Sequence, residues 1–314
     1  MPPILAVTAP IFIIIAIGFG AVRLELFSKA DIRSLSAFVI NFALPALILR
    51  ALSQSSLDQI VNVGYLLAYA LGSLAVLLAG IAVARFGKRR PLTESALYGL
   101  GMAMPNSAFV GYPIVLQLLG PQAAVALALS MLVENILLLP LGMALLESGG
   151  SQGERLPVVL RRIFARLVRN PLMLAIGAGI VLAVFETPLP EPLFRVVDMF
   201  AMAAGAAALF AIGGNLVGLK VRGMAGDVVQ IMTGKLILHP LAVLAALLLL
   251  PPFDPALQTA VFVFACMPMM SIYPILGQRY GKEGVCAATL VATTAASFIT
   301  ISLMLWLIDA TGFL

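Results

Sequence analysis

The sequence predicts an all-α integral membrane protein with about ten transmembrane helices, arranged as two inverted five-helix repeats. Of the 314 residues, 62% are hydrophobic and 11% are charged, and the mean hydropathy is +1.09. Soluble domains are roughly half apolar and a quarter charged. Long apolar segments recur along the whole chain, and one short proline-containing pattern is present in both halves. These observations indicate a membrane protein built by duplication.

Charged or Pro/Gly-rich breaks separate the apolar segments, and about 20 apolar residues are needed to cross a bilayer. The predicted spans are 4–22, 34–52, 62–85, 95–118, 122–146, 171–186, 194–218, 226–250, 256–279 and 284–308. No basic residue precedes the first segment, and Arg23 follows it, so it is interpreted as a span and not as a secretory signal. Cys266 and Cys286 both lie in apolar segments and indicate neither a disulfide framework nor a metal site.

The basic residues predict the orientation. All but three of the 19 lysines and arginines lie in loops after odd-numbered spans, and the exceptions are Arg50, Arg195 and Lys235. The positive-inside rule places those loops in the cytoplasm and both termini on the other side. This distribution also accounts for the net charge of +5 without nucleic-acid binding. We therefore expect a multi-pass protein of the cell (inner) membrane.

Ten spans in two copies give five spans per copy. Because five is odd, the second copy must enter the membrane from the opposite side. The predicted organisation is a first repeat at 1–146, a cytoplasmic linker at 147–170 and a second repeat at 171–314. Within the linker, residues 156–168 are interpreted as an interfacial amphipathic helix or as a solvated hinge.

The repeated pattern lies in the fourth and ninth predicted spans. Its two copies are Met104-Pro105, Tyr112-Pro113-Ile114, Gly120 and Met267-Pro268, Tyr273-Pro274-Ile275, Gly281. Each proline lacks an N–H and frees a carbonyl one turn earlier, so Pro105, Pro113, Pro268 and Pro274 are predicted helix breaks. Unpaired backbone in hydrocarbon costs several kcal/mol unless protein or water covers it. Broken helices at matching places in two halves indicate a transporter's binding site, with simple proline kinks as the alternative.

With these broken helices and Asn41-x-x-x-Pro45 in the second span, the chain resembles the auxin efflux carrier family, in its bacterial branch. The resemblance implies crossed, broken fourth and ninth helices in two inverted repeats. Bile acid–sodium symporters and sodium/proton antiporters share that architecture. It also implies transport of small organic anions, such as auxin in plants and malate or malonate for bacterial relatives. The long hydrophilic cytoplasmic loop of many plant members is missing, which argues against auxin itself.

The candidate substrate-binding residues lie at the breaks and on neighbouring spans. They are Asn41, Pro105, Asn106, Ser107, Lys235, His239, Met267, Ser271 and Tyr273. Lys235 and His239 are four positions apart and share a helix face, where the lysine would supply the positive charge for a carboxylate. Alternatively, Lys235 snorkels to the headgroups and His239 is a satisfied buried imidazole. For Asn41 the alternative is a hydrogen bond between helices.

Glu134 and Asn135 lie near the centre of the fifth span. A charged carboxylate there costs about 2.5–3.5 kcal/mol on insertion scales, so a functional role is expected. We interpret the pair as a site for a coupling ion, H⁺ or Na⁺. A hydrogen-bonded structural carboxyl is the alternative.

The leading prediction is a secondary transporter of a small organic anion, working by alternating access at a midplane site. The alternative is a sodium-coupled bile-acid-type symporter or a cation/proton antiporter, although no aspartate lies between Pro105 and Pro113 or between Pro268 and Pro274. An enzyme is not expected, since the chain has one histidine and no His-Glu-x-x-His motif. The expected partners are the substrate anion and the lipid bilayer, without nucleic acid, metal or cofactor beyond a coupling ion. A homodimer is left open.

Overall fold

The computed structural model describes residues 4–54, 62–148, 161, 165, 167–218 and 225–311. Apart from one isolated bridge, all regular structure in these residues is helical. The helices are α1 (Ile4–Arg23), α2 (Lys29–Ser53), α3 (Val63–Gly87), α4 (Leu92–Ala103), α5 (Ser107–Leu119), α6 (Gln122–Glu147), α7 (Pro171–Val184), α8 (Glu191–Leu216), α9 (Ala225–Leu249), α10 (Pro255–Cys266), α11 (Tyr273–Gln278) and α12 (Glu283–Thr311). The prediction of an all-α protein is confirmed.

Six of these helices, α2, α3, α6, α8, α9 and α12, are long and apolar enough to cross a membrane. Helices α5, α7 and α10 are apolar but shorter, as is the apolar segment Thr8–Arg23 of α1. Large apolar side chains such as Ile13, Leu248 and Trp306 are more than half exposed, as expected of surfaces that face lipid. The chain is therefore a multi-pass membrane protein, while the count of ten spans and the inverted repeat remain predictions.

Polar caps fix where several helices begin. The Ser28 hydroxyl accepts a hydrogen bond from the Asp31 N–H, and the Asp31 carboxylate accepts one from the Ser28 N–H, which forms a capping box at the start of α2. The Asn62 side chain accepts from the Tyr65 N–H at α3, and the Asp254 carboxylate caps α10. These caps pair N–H groups that would otherwise be orphaned.

The helices pack in two groups that draw on both halves of the sequence. The helices α1, α2, α7 and α8 pack together as a four-helix group, and the remaining helices form an eight-helix group. The backbones of α1 and α8 nearly touch, because a Cβ atom on Gly18 would lie 2.1 Å from the Phe210 oxygen, and one on Gly213 would lie 1.9 Å from the Ile15 oxygen. Such glycine-mediated packing is typical of membrane helices.

Four helices contain a π-helical turn that ends two residues before a proline. The turns are Val39–Ala43 before Pro45, Ser107–Gly111 before Pro113, Val133–Leu138 before Pro140, and Gly234–Leu238 before Pro240. A proline ring clashes with the carbonyl four residues earlier, and widening the preceding turn relieves that clash. A fifth π turn, Val83–Gly87, ends α3.

Both proline-broken spans are interrupted, and their breaks meet. Helix α4 ends at Ala103 and α5 begins at Ser107, while α10 ends at Cys266 and α11 begins at Tyr273. The two intervening segments form an antiparallel bridge between Pro105 and Met269. The Asn106 N–H donates to the Pro268 oxygen (2.7 Å), and the Met270 N–H donates to the Met104 oxygen (3.2 Å). The predicted broken, crossing helices are confirmed at Pro105 and Pro268, and each break supplies hydrogen-bond partners to the other. Pro113 lies within α5 and Pro274 in the first turn of α11, so these two prolines do not interrupt a helix.

A buried charged cluster ties together the helix ends that the charge distribution predicts to face the cytoplasm. The Asp227 carboxylate pairs with Lys88 (2.9 Å) and Arg90 (3.0 Å), and Glu94 pairs with Arg90 (3.0 Å) and Lys282 (2.9 Å). The side chains of Asp227 and Glu94 are 6% and 9% exposed, so the carboxylates are shielded from solvent, while the cations are about a third exposed. Residues 156–168, and most of the predicted linker at 147–170, lie outside the described residues.

Candidate functional site

The crossing of the two breaks gathers most of the predicted substrate-binding residues. The Asn106 amide donates to the Ser271 hydroxyl (2.7 Å), which adds a side-chain bond to the paired backbones. Met267 is fully buried, and the Tyr273 hydroxyl donates to the Leu97 oxygen (3.1 Å) on α4. The sequence-predicted residues at the two breaks therefore lie together in space.

The first turn of α5 presents unpaired backbone donors at this crossing. The N–H groups of Val110 and Gly111 both donate to the Asn106 oxygen, at 3.1 and 3.0 Å. The preceding three N–H groups, of Ser107, Ala108 and Phe109, make no hydrogen bond to another described residue. Free N–H groups and the positive end of the helix dipole favour an anion at such a position.

Glu134 lies beside the first break. Its side chain is buried, in the π turn of α6, and its Oε1 atom accepts hydrogen bonds from the Tyr69 hydroxyl (2.7 Å) and the Ser107 hydroxyl (2.5 Å). Ser107 is the first residue of α5. The carboxyl group is thus connected directly to the helix start that carries the free N–H groups.

Lys235 lies beside the second break. It occupies the π turn of α9, and its ammonium donates to the Ala265 oxygen (3.1 Å) in the last turn of α10. It also bonds to the Nδ1 atom of His239, whose Nε2 atom bonds to the Ser73 hydroxyl (2.8 Å). Lys235 and His239 are both fully buried. Their shared face is confirmed, and the snorkelling alternative for Lys235 is wrong because its ammonium points into the protein.

Helix α3 joins the two charged residues. Tyr69 bonds to Glu134, and Ser73, one turn later, bonds to His239. The Tyr69 and His239 rings are 6.1 Å apart. We call Ser107, Glu134, Tyr69, Ser73, His239 and Lys235 the buried polar chain. Sequence reasoning missed Tyr69 and Ser73, although polar residues at i and i+4 in an apolar span are a usable signal.

Two of the predicted site residues, Asn135 and Asn41, are not part of the buried polar chain. The Asn135 amide donates to the Met131 oxygen (2.9 Å) and accepts from the Asn170 amide (3.3 Å), so the structure does not bring it to the Glu134 carboxyl. Asn41 is exposed, and its amide donates to the Ala37 oxygen (2.8 Å) of its own helix. Adjacent residues on a helix point in different directions, which separates Asn135 from Glu134.

A cavity of about 570 Å³ opens where the two helix groups face each other. Its polar lining includes Arg50 and Asp198 from the four-helix group, and Tyr112 and Gln122 from the eight-helix group. Arg50 and Asp198 form an ion pair, and their side chains are 29% and 35% exposed. Tyr112 directly follows the π turn of α5, so the cavity reaches the region of the first break.

Among the described residues, no three or more His, Cys, Asp or Glu side chains cluster so that they could hold a metal ion.

Comparison with known proteins gives a consistent set of matches. The family described as "Membrane transport protein" matches residues 3–307. The chain is 30% identical over 311 residues to a protein of Rhizobium meliloti (strain 1021) named "Putative malonate transporter", covering 98% of this chain and 97% of that protein. It is 26% identical over 242 residues to "Uncharacterized transporter YfdV" of Escherichia coli (strain K12), covering 75% of each. It is also 24% identical over 325 residues to "Lysosomal cholesterol signaling protein" of Mus musculus, covering 95% of this chain and 36% of that protein.

Proposed function

This chain belongs to the membrane transport protein family, and on that premise we propose that it is a secondary active transporter of a small organic anion of the dicarboxylate type. The resemblance to auxin efflux carriers noted from the sequence is confirmed by this match. The observation that carries the proposal is the start of α5, where free N–H groups lie at the crossing of two broken helices. An anion bound there would satisfy backbone donors that otherwise cost several kcal/mol each.

The surroundings of that point support a negatively charged substrate. The Asn106 amide and the Ser271 hydroxyl lie at the crossing. The buried Lys235 of α9, whose Nζ atom contacts the end of α10 beside the second break, is proposed to supply the positive charge. These groups suit a small dicarboxylate as the substrate, and the name of one relative includes malonate. Binding by backbone N–H groups and a few polar side chains suits a compact anion.

The two helix groups supply the parts for alternating access. In the proposed cycle, one group moves as a rigid body against the other, so that the crossing faces first one side of the membrane and then the other. The cavity opens at helix ends that carry Arg50, Gln122 and Asp254, which the positive-inside rule places outside the cytoplasm. This conformation is accordingly assigned as outward-open.

Glu134 is the proposed coupling site, with H⁺ as the ion. Burial of Glu134 favours the protonated carboxyl group, whereas the hydrogen bonds donated by the Tyr69 and Ser107 hydroxyls favour the carboxylate, and this balance suits a group that gains and loses a proton. Ser107 is the first residue of α5, where the substrate anion is proposed to bind. Protonation of Glu134 would weaken the hydrogen bond from Ser107 and so affect the substrate site directly.

The test is uptake of labelled malonate and other small dicarboxylates into proteoliposomes that contain the purified protein. We expect uptake by the wild type and at least a tenfold loss in Asn106→Ala and Lys235→Ala. Arg195→Gln is the matched control, because Arg195 pairs with Glu191 on the exposed surface of α8 and both side chains are 74% exposed.

Three outcomes would contradict the proposal. If folded wild-type protein takes up no carboxylate, the proposed substrate class is wrong. If Asn106→Ala and Lys235→Ala both transport at the wild-type rate, the substrate does not bind at the crossing. Uptake that needs a sodium gradient, and not a proton gradient, would favour the sodium-coupled alternative.

A further inference from the structure

We propose that Arg50 and Tyr112 form an entry subsite for a substrate carboxylate in the cavity between the two helix groups. The subsite is separate from the crossing, and the inference rests on the proposed function. A carboxylate held there would touch both groups before it reaches the broken helices.

Among the described residues that line this cavity, Arg50 is the only positively charged one. In the present conformation its guanidinium is paired with the Asp198 carboxylate, and about a third of each side chain is exposed. A substrate carboxylate has the same charge and shape as the Asp198 group. It can therefore replace Asp198 with little change in the guanidinium's hydrogen bonding, and arginine suits such bidentate exchange.

Tyr112 supplies the second contact from the opposite group. The residue is 3% exposed and lines the cavity, and its hydroxyl makes no hydrogen bond to another described residue. Arg50 and Tyr112 line the same cavity from opposite helix groups. A carboxylate between them can accept from the guanidinium with one oxygen and from the phenol with the other.

The rest of the lining suits the second carboxylate of a dicarboxylate. Gln54, Asn62 and Gln122 contribute amide groups. The Asn62 oxygen is already used to cap α3, which leaves its NH₂ group as a donor, and the Asp254 carboxylate is used to cap α10. The cavity volume of about 570 Å³ lies within the range of small-molecule sites, roughly 300–1,000 Å³.

The position of the subsite has a mechanical consequence. Arg50 belongs to α2 in the four-helix group, and Tyr112 belongs to α5 in the eight-helix group. A ligand shifts a conformational equilibrium only as far as it binds one state better than the other. One carboxylate that bridges Arg50 and Tyr112 binds best when the groups are close, so occupancy favours closure of the outer cavity behind the substrate.

The experiment compares malonate uptake kinetics and malonate-induced shifts in melting temperature for four variants. These are Arg50→Gln, Asp198→Asn, Tyr112→Phe and the surface control Arg195→Gln. We expect Arg50→Gln to raise KM by about tenfold or more, because a hydrogen bond to a charged group is lost. We expect Tyr112→Phe to raise KM about threefold or more, and Arg195→Gln to leave it unchanged.

Asp198→Asn separates the subsite from a purely structural ion pair. If Arg50 serves the substrate, freeing it from Asp198 lowers KM or leaves it unchanged, whereas a structural pair predicts that Arg50→Gln and Asp198→Asn are impaired equally. Equal impairment, or a wild-type KM in folded Arg50→Gln, overturns the inference while leaving the proposed function intact. Absence of uptake and of any malonate-induced shift in wild-type protein overturns the proposed function and this inference together.

Discussion

Replacing Glu134 with glutamine is expected to abolish proton coupling without unfolding the protein. The carboxamide oxygen can still accept the hydrogen bonds from Tyr69 and Ser107, because it occupies the place of Oε1. Each bond weakens by about 1 kcal/mol when its acceptor loses its charge. Removing a buried carboxylate recovers about 2.5–3.5 kcal/mol of insertion cost. The two contributions nearly cancel, so Glu134→Gln should melt close to the wild-type temperature.

The assay measures malonate accumulation in proteoliposomes with and without a pH difference of one unit across the membrane. A pH difference of one unit stores about 1.4 kcal/mol per proton, which allows up to about tenfold accumulation for each coupled proton. We expect wild-type protein to respond to the gradient. We expect Glu134→Gln to exchange malonate for malonate but to ignore the gradient, and Glu191→Gln, on the exposed end of α8, to behave as wild type. A gradient response of wild-type size in Glu134→Gln would refute the assignment of Glu134 as the coupling site.

Three further predictions concern packing and burial. Gly18→Ala should lower the melting temperature, because its new Cβ atom would lie 2.1 Å from the Phe210 oxygen. Gly20→Ala on the same helix meets nothing within 4 Å, so its melting temperature should equal or slightly exceed that of the wild type. Asp227→Asn should destabilise the protein by about 2 kcal/mol in a denaturation experiment, since it removes the carboxylate from Lys88 and leaves Arg90 with Glu94 alone; an unchanged midpoint would show that the two Asp227 pairs contribute nothing to stability. Cys266 should resist maleimide labelling in the folded protein because it is 3% exposed, and labelling as fast as in denatured protein would contradict its burial.

The sequence predicted those parts of the fold that depend on local patterns. Apolar length located the helical segments, and prolines located the two breaks, because a missing N–H and a ring clash act within one turn. Apolar composition could not predict which helices pack together. The pairing of α1 with α8 depends on Gly18 and Gly213 approaching the facing backbones, and these glycines look like any others in a membrane sequence.

The candidate site was predictable where its residues are close in sequence. Lys235 and His239 share a face at i and i+4, and the structure joins them directly. The Arg50–Asp198 pair joins residues 148 positions apart, and no local pattern marks such a contact. Adjacency in sequence predicts that Asn135 joins Glu134, but adjacent side chains on a helix point in different directions, and Asn135 bonds to Asn170 instead.

The placement of the polar residues follows one physical rule. Ser107, Glu134 and Lys235 each lie in a π turn that ends two residues before a proline, as does Asn41 in α2. A π turn inserts one extra residue, which reorients side chains relative to the straight helix and leaves carbonyl groups less well paired. In hydrocarbon the less well paired backbone of such a turn needs cover from protein or water. The prolines therefore create the irregular backbone, and the packing of α5, α6 and α9 places Ser107, Glu134 and Lys235 in the interior near the crossing, whereas the Asn41 side chain in the turn of α2 is exposed and bonds to its own helix.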